Sequence, residues 1–124
     1  MADHGPLSGL RLLIVEDEYM VATHLEMLLE NCGCEVVGPV ATVDKALELM
    51  EAERLDGVLL DANLNGISSA PLADFLNARS VPFVVVTGYG RLELATETLS
   101  AAPRIGKPFS KAEFEKVLTS TFRR

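Results

Sequence analysis

Three short apolar runs in this chain stop abruptly at charged side chains. Leu12-Leu13-Ile14-Val15 ends at Glu16-Asp17-Glu18, Val58-Leu59-Leu60 ends at Asp61, and the segment around Arg104-Ile105 ends at Gly106-Lys107-Pro108. A further run, Phe83-Val84-Val85-Val86, is followed by the hydroxyl of Thr87. If these runs are parallel strands of one sheet, their carboxyl ends carry several carboxylates and one ammonium into a single crevice. Carboxylates within ~4–6 Å oppose one another's ionisation. Such a crevice calls for a divalent cation, or for chemistry that uses one carboxylate as an acceptor. Glu16, Asp17 and Asp61 offer the hard oxygen ligands that suit Mg²⁺, which prefers octahedral oxygen coordination and keeps part of its water. Asp61 follows the most apolar strand, where a carboxylate costs stability unless it is paired, coordinated or at an edge. Carboxylates also serve as nucleophiles that form aspartyl phosphate. Lys107 and a shared cation would then balance the charge on the transferring oxygens, and Thr87 would donate to one of them.

Each part also has a plainer reading. The run Glu16-Asp17-Glu18 complements the positive end of a following helix, and a threonine at a strand end is ordinarily a turn residue. Neither histidine adds chemistry: His4 lies in the N-terminal tail, and His24 falls mid-helix, where a surface or half-buried role is the rule. Cys32 and Cys34, flanking Gly33, sit too close on the chain for disulfide geometry and are too few for a zinc site. They read as small, buried or half-exposed residues in a reducing compartment. Lys107-Pro108, at a tight turn, is a candidate cis peptide.

Hydrophobic periodicity places the elements that must position these groups. A buried strand covers Leu10 to Val15, and a helix follows over residues 18–31 with Val21, Leu25, Leu28 and Leu29 on its core face. Gly33 is the left-handed stop. Residues 35–38 form a short second strand. Thr42 caps a helix that turns Val43, Ala46, Leu47 and Met50 inward and Glu48, Glu51 and Glu53 outward. Residues 57–60 are apolar on both faces, as a central parallel strand is. Residues 61–69, rich in Asn, Gly and Ser, read as loop, and Pro71 opens a helix to about residue 78. The β-branched fourth strand, 83–86, leads into the Thr87-Gly88-Tyr89-Gly90 loop and a helix over 92–99. After a short fifth strand near 104–106, Ser110-Lys111-Ala112-Glu113 has the form of a capping box. The last helix presents Phe114, Val117, Leu118 and, at its end, Phe122 to the core.

Strands alternating with helices predict an α/β fold with a five-stranded parallel sheet covered on both faces. In such sheets ligands bind beyond the carboxyl ends of the strands, where every unusual charge named above lies. The 124 residues suit one domain, 1–124, with its core over about 10–122. An apolar content of 48% argues for a folded chain. No apolar run approaches the ~18 residues that span a bilayer, and no basic leader precedes an apolar stretch. The expectation is a cytoplasmic protein with no membrane insertion. Eighteen acidic against eleven basic residues, net −7, argue against a nucleic-acid surface.

With these residues set out, the chain resembles the response-regulator receiver domains of bacterial two-component systems over nearly its whole length. The acidic pair Glu16-Asp17, Asp61, Thr87 and Lys107 followed by proline match the family's marks in order. The resemblance implies a flavodoxin-like (βα)5 sheet in the order 2-1-3-4-5. It implies that Asp61 takes a phosphoryl group from a sensor histidine kinase or a phosphotransfer protein, acting as a regulatory domain and not as an enzyme. Asp17, Asp61 and the main-chain carbonyl of Asn63 would hold Mg²⁺ directly and Glu16 through water. Thr87 and Lys107 would engage the phosphoryl oxygens, and the switched surface would bind a downstream partner protein. The stretch from Pro82 to Gly90, with Asp61-Ala62-Asn63-Leu64-Asn65-Gly66, is similar to a subgroup marked by Phe-Ala-Thr-Gly-Tyr-Gly. Members of it often stand alone and work with stress- or light-sensing kinases. The chain departs from the family at Arg104, where most receivers carry an aromatic switch residue, and Tyr89 is the candidate for that role. Two other functions remain open: a phosphate sink or shuttle in a relay, and a metal-dependent phosphatase. The second lacks the aspartate such enzymes carry two residues after the nucleophile, since position 63 is Asn.

Overall fold

The structure is a computed structural model that describes residues 7–88, 102–107 and 109–123, the side chains of Thr87 and Lys107 excepted. Its elements run β1 (Arg11–Val15), α1 (Tyr19–Asn31), β2 (Glu35–Val40), α2 (Val43–Ala52), β3 (Gly57–Asp61), β4 (Asn63–Leu64), β5 (Ile67–Ser68), α3 (Ala70–Ala78), β6 (Phe83–Gly88), β7 (Arg104–Lys107) and α4 (Lys111–Phe122). The helix expected over 92–99 and the Lys107-Pro108 bond lie outside the described residues. Among the described residues a cis peptide joins Gly38 to Pro39, in an edge strand.

Five strands form one parallel sheet in the order β2-β1-β3-β6-β7. Numbered without the small β4–β5 hairpin, that is 2-1-3-4-5, as the resemblance implied. Side chains alternate across a strand, and both faces of this sheet are buried. Leu13, Val15, Val58, Leu60 and Val85 point to one face, where Ala46 and Met50 of α2 and Leu72, Ala73 and Leu76 of α3 meet them. Leu12, Ile14, Leu59, Val84 and Val86 point to the other, under Leu25 and Leu29 of α1 and Phe114 and Leu118 of α4. Burial of each such side chain contributes ~1.5–3 kcal/mol, so the two cores dominate the energetics and hold the strand ends in place.

The helix signals act as read. The Thr42 hydroxyl accepts from the Lys45 N–H at 3.2 Å and the Ser110 hydroxyl from the Glu113 N–H at 3.0 Å. Gly33 carries φ +86 just past α1. At the amino end of the sheet, Arg11 ties three segments together. Its side chain reaches Glu35 of β2 at 3.2 Å and Glu53 after α2 at 2.9 Å, while its N–H donates to Asp56 at 2.8 Å. Glu53 first, then Glu35, raise its guanidinium above its ordinary value, against a lowering by burial.

Leu7, wholly buried, extends the second core beyond the first strand, and its carbonyl accepts from the Cys34 thiol at 3.5 Å. Both cysteines are free and buried, as expected. Burial, with a smaller push from Cys32, moves the Cys34 thiol from 9.0 up to about 12. Burial, then Glu115, raises Cys32 as well. Because the folded state keeps its Cys34 proton after the unfolded chain has lost it, stability is lost as pH climbs from 9.0 towards about 12. Thermal melts at pH 8 and 10 should show a smaller alkaline drop in Tm for Cys34→Ala than for the parent chain.

Gly57 opens β3 against the ring of Phe122, the last residue of α4, and a Cβ there would overlap that ring. Gly57→Ala should therefore cost ~1–3 kcal/mol by overpacking. Removing the ring first, in Phe122→Ala, should abolish most of that increment in denaturant unfolding curves.

Candidate functional site

At the carboxyl end of the sheet, Glu16, Asp17 and Asp61 each offer a carboxylate oxygen, and these oxygens lie within 4.8 Å of one another. Their placement follows from the backbone. The Glu16 N–H donates to the Val40 carbonyl at 2.9 Å, extending the β1–β2 pairing by one residue past the strand. Asp61 is the last residue of β3 and lies opposite Val86 of β6. The sheet thus turns neighbouring strand ends into neighbouring carboxylates. Glu16 is 3% exposed and Asp61 8%, while Asp17 is the more open of the three.

Two main-chain donors orient the buried pair. The Glu18 N–H donates to Glu16 Oε2 at 3.2 Å, and the Asn63 N–H donates to Asp61 Oδ1 at 3.1 Å. Helix α1 begins only at Tyr19, with no acidic residue in its first turn and no side-chain bond from Glu18 at the cap. Glu16 and Asp17 thus lie before the helix and not in its first turn. A set of three carboxylates, two of them nearly dry, is chemically suited to a hard divalent cation.

The loop expected over 61–69 holds a small antiparallel hairpin. Asn63 pairs with Ser68 and Leu64 with Ile67. Asn65 (φ 55) and Gly66 (φ 88) form its turn. The signal was the Asn-Gly dipeptide, whose two left-handed residues suit a two-residue hairpin turn. The Asn63 amide oxygen accepts from the Gly66 N–H at 2.6 Å, and Ser68 Oγ from the Ala70 N–H at 3.1 Å. Asn63 therefore serves the hairpin with its side chain and Asp61 with its backbone. The acid that a phosphatase would need at this position is an amide engaged in a turn. Beside the carboxylates lies a groove of about 370 Å³ between this hairpin and the start of α2, lined by Asp17, Thr42, Val43, Leu64, Asn65 and Ile67.

The backbone brings the other two expected residues to the same end of the sheet. Thr87 pairs with Gly106 and Gly88 with Lys107. Lys107 is thus two strands from Asp61, roughly 10 Å across at the usual strand spacing. The side chains of Thr87 and Lys107, and the whole of Tyr89, lie outside the described residues. Arg104 begins β7 opposite Val85 and is exposed. Sequence reasoning passed over Phe109, two residues beyond Lys107. Its ring stacks on His24 of α1 (centroids 5.7 Å, interplanar 6°) and on Phe114 of α4 (5.6 Å, 20°). An aromatic directly after Lys-Pro was the available sign.

Crowded carboxylates repel in the absence of a cation, by about 1 kcal/mol per pair at 4 Å in water and more where water is excluded. Asp17→Asn should therefore raise the Tm of the protein in chelator by a few degrees. In millimolar Mg²⁺ the order of the two melting temperatures should reverse.

A family model described as the response regulator receiver domain matches residues 12–119. Among curated proteins, the chain is 32% identical over 111 residues to the phyllosphere-induced regulator PhyR of Methylorubrum extorquens, covering 87% of this chain and 42% of that one. It is 31% identical over 105 residues to the transcriptional regulatory protein PdtaR of Mycobacterium tuberculosis, covering 81% and 50%. It therefore spans about half the length of these relatives or less. Among solved structures, SdrG from Sphingomonas melonis Fr1 aligns with TM-score 0.81 and 37% identity over 94% of this chain and 98% of SdrG. The receiver domain of a Pseudomonas aeruginosa PAO1 sensor histidine kinase, described with a magnesium ion coordinated in its active site cleft, aligns at 0.81 and 26% over 94% and 100%.

Proposed function

The chain belongs to the response-regulator receiver family, and on that premise we propose that Asp61 accepts a phosphoryl group, with Mg²⁺ beside it, from a sensor histidine kinase or phosphotransfer protein. The observation that carries this reading is the convergence of Glu16, Asp17 and Asp61 at the carboxyl ends of β1 and β3, with their oxygens within 4.8 Å. Asp17, Asp61 and the Asn63 carbonyl would hold the ion directly, and Glu16 would hold it through water. When bound, the ion balances negative charge on the acceptor and on the phosphoryl oxygens. The likeness to a receiver structure described with magnesium supports this assignment.

In the transfer, a carboxylate oxygen of Asp61 bonds to phosphorus as the phosphorus–nitrogen bond to the donor imidazole breaks, and that electron pair returns to the ring nitrogen. The Asn63 N–H, already bonded to Oδ1, fixes the carboxylate's rotation during attack. Lys107 and Thr87 engage the phosphoryl oxygens. Phosphorylation adds about −1.5 to −2 charges near neutral pH, enough to rearrange the chain around Thr87 at the end of β6. Tyr89, with glycine on either side, takes the aromatic switch role absent at Arg104. The readout is a regulatory one in the cytoplasm: a downstream partner protein binds the switched surface, with no part for nucleic acid or membrane insertion. No helix among the described residues is long and apolar enough to cross a membrane.

Asp61→Asn should abolish acid-labile labelling by acetyl phosphate in Mg²⁺, seen as loss of the retarded band on a Phos-tag gel. Equal labelling of that variant and the parent chain would refute the assignment. Lys107→Ala should slow the labelling without removing the site.

A further inference from the structure

The described residues hold one aromatic assembly, and it lies next to the segment that carries Lys107. Phe109 stacks with both His24 and Phe114, at centroid separations of 5.7 and 5.6 Å. The nearly parallel arrangement of His24 and Phe109, 6° apart, is the offset stacking that aromatic rings favour. Phe114 is fully buried, Phe109 is half-buried against the same core, and His24 is exposed. The imidazole therefore closes the stack from the outside and contributes little to the core itself.

We infer that His24 and Phe109 are positioning residues for Lys107, clamping the end of β7 to helix α1. Two residues of chain reach at most ~7 Å, so fixing the Phe109 ring confines the backbone of Lys107. Helix α1 starts at Tyr19, directly after the segment carrying Glu16 and Asp17. One rigid helix thus fixes the acidic pair at its beginning and, a turn further on, the ring that limits where Lys107 can go. On the other side Lys107 is held by its pairing with Gly88. Strand β7 lies at the edge of the sheet with a strand partner on one side alone, so the clamp adds a restraint on the side that lacks a strand.

The functional part of the inference rests on Lys107 acting at the phosphoryl group as proposed above, so the test uses two separate readouts. Amide hydrogen exchange by NMR on the unphosphorylated protein reports the clamp, and the initial rate of Asp61 labelling by acetyl phosphate reports its consequence. His24→Ala, at an exposed position, should leave Tm within a few degrees of the parent. It should speed exchange at Ile105, Gly106 and Lys107 but not at Leu59 and Leu60. It should also slow labelling about 2- to 10-fold, the range that one aromatic pair commands. His24→Phe should restore both, and His24→Ala should cost nothing further in a Lys107→Ala background. Unchanged exchange at residues 105–107 in His24→Ala, or losses that multiply with those of Lys107→Ala, would overturn the clamp. A parent chain that is never labelled would refute the phosphoacceptor reading alone, since exchange would still decide the clamp.

Discussion

The constraint on which this molecule is organised is the crowding of Glu16, Asp17 and Asp61 at one end of a parallel sheet. Right-handed crossovers send every strand in the same direction, so residues that end strands distant in sequence end side by side in space. Like charges that close oppose folding, by about 1 kcal/mol per pair in water and ~4 kcal/mol near a protein surface. The two faces of the sheet overcome this. Each buried Leu, Val or Ile contributes ~1.5–3 kcal/mol, and both layers of helices are packed with them. The scaffold can therefore hold an unfavourable arrangement of charge in place, which gives a cation or a phosphoryl group something to relieve.

The two ends of the sheet handle charge differently. At the amino end Arg11 is matched by Glu35 and Glu53, with Asp56 bonded to its backbone. There the carboxylates share a guanidinium within the chain, and the contacts serve register. At the carboxyl end the described residues gather acids, and their orientation comes from main-chain N–H groups of Glu18 and Asn63. These donors are neutral and bring no charge of their own to the carboxylates.

Two small devices frame that site. The Asn65-Gly66 hairpin fixes the segment after Asp61, and the bond from Gly66 to Asn63 keeps the Asn63 backbone turned towards the acceptor. The ring stack on α1 does the corresponding work after β7. Both shape the chain just past a strand end, where the sheet's own hydrogen bonding stops and the backbone would otherwise be less restrained.

The amino-acid sequence by itself determined the layered fold, because buried parallel strands and amphipathic helices leave unmistakable periodicities: the all-apolar run before Asp61, the Leu25–Leu29 face, the Thr42 and Ser110 caps. It also determined the chemical types at the site, since charge at the end of an apolar run is conspicuous in one dimension. Three things were decided only by tertiary structure. The distance between Glu16, Asp17 and Asp61 depends on strand order, which local pattern does not encode. The hairpin after Asp61 was signalled by Asn65-Gly66, but its short flanks carry no alternation long enough to register as strands. The stack of His24 on Phe109 joins residues far apart in the chain, and no periodicity links them; only the packing of α1 and α4 on one face of the sheet brings the two rings together.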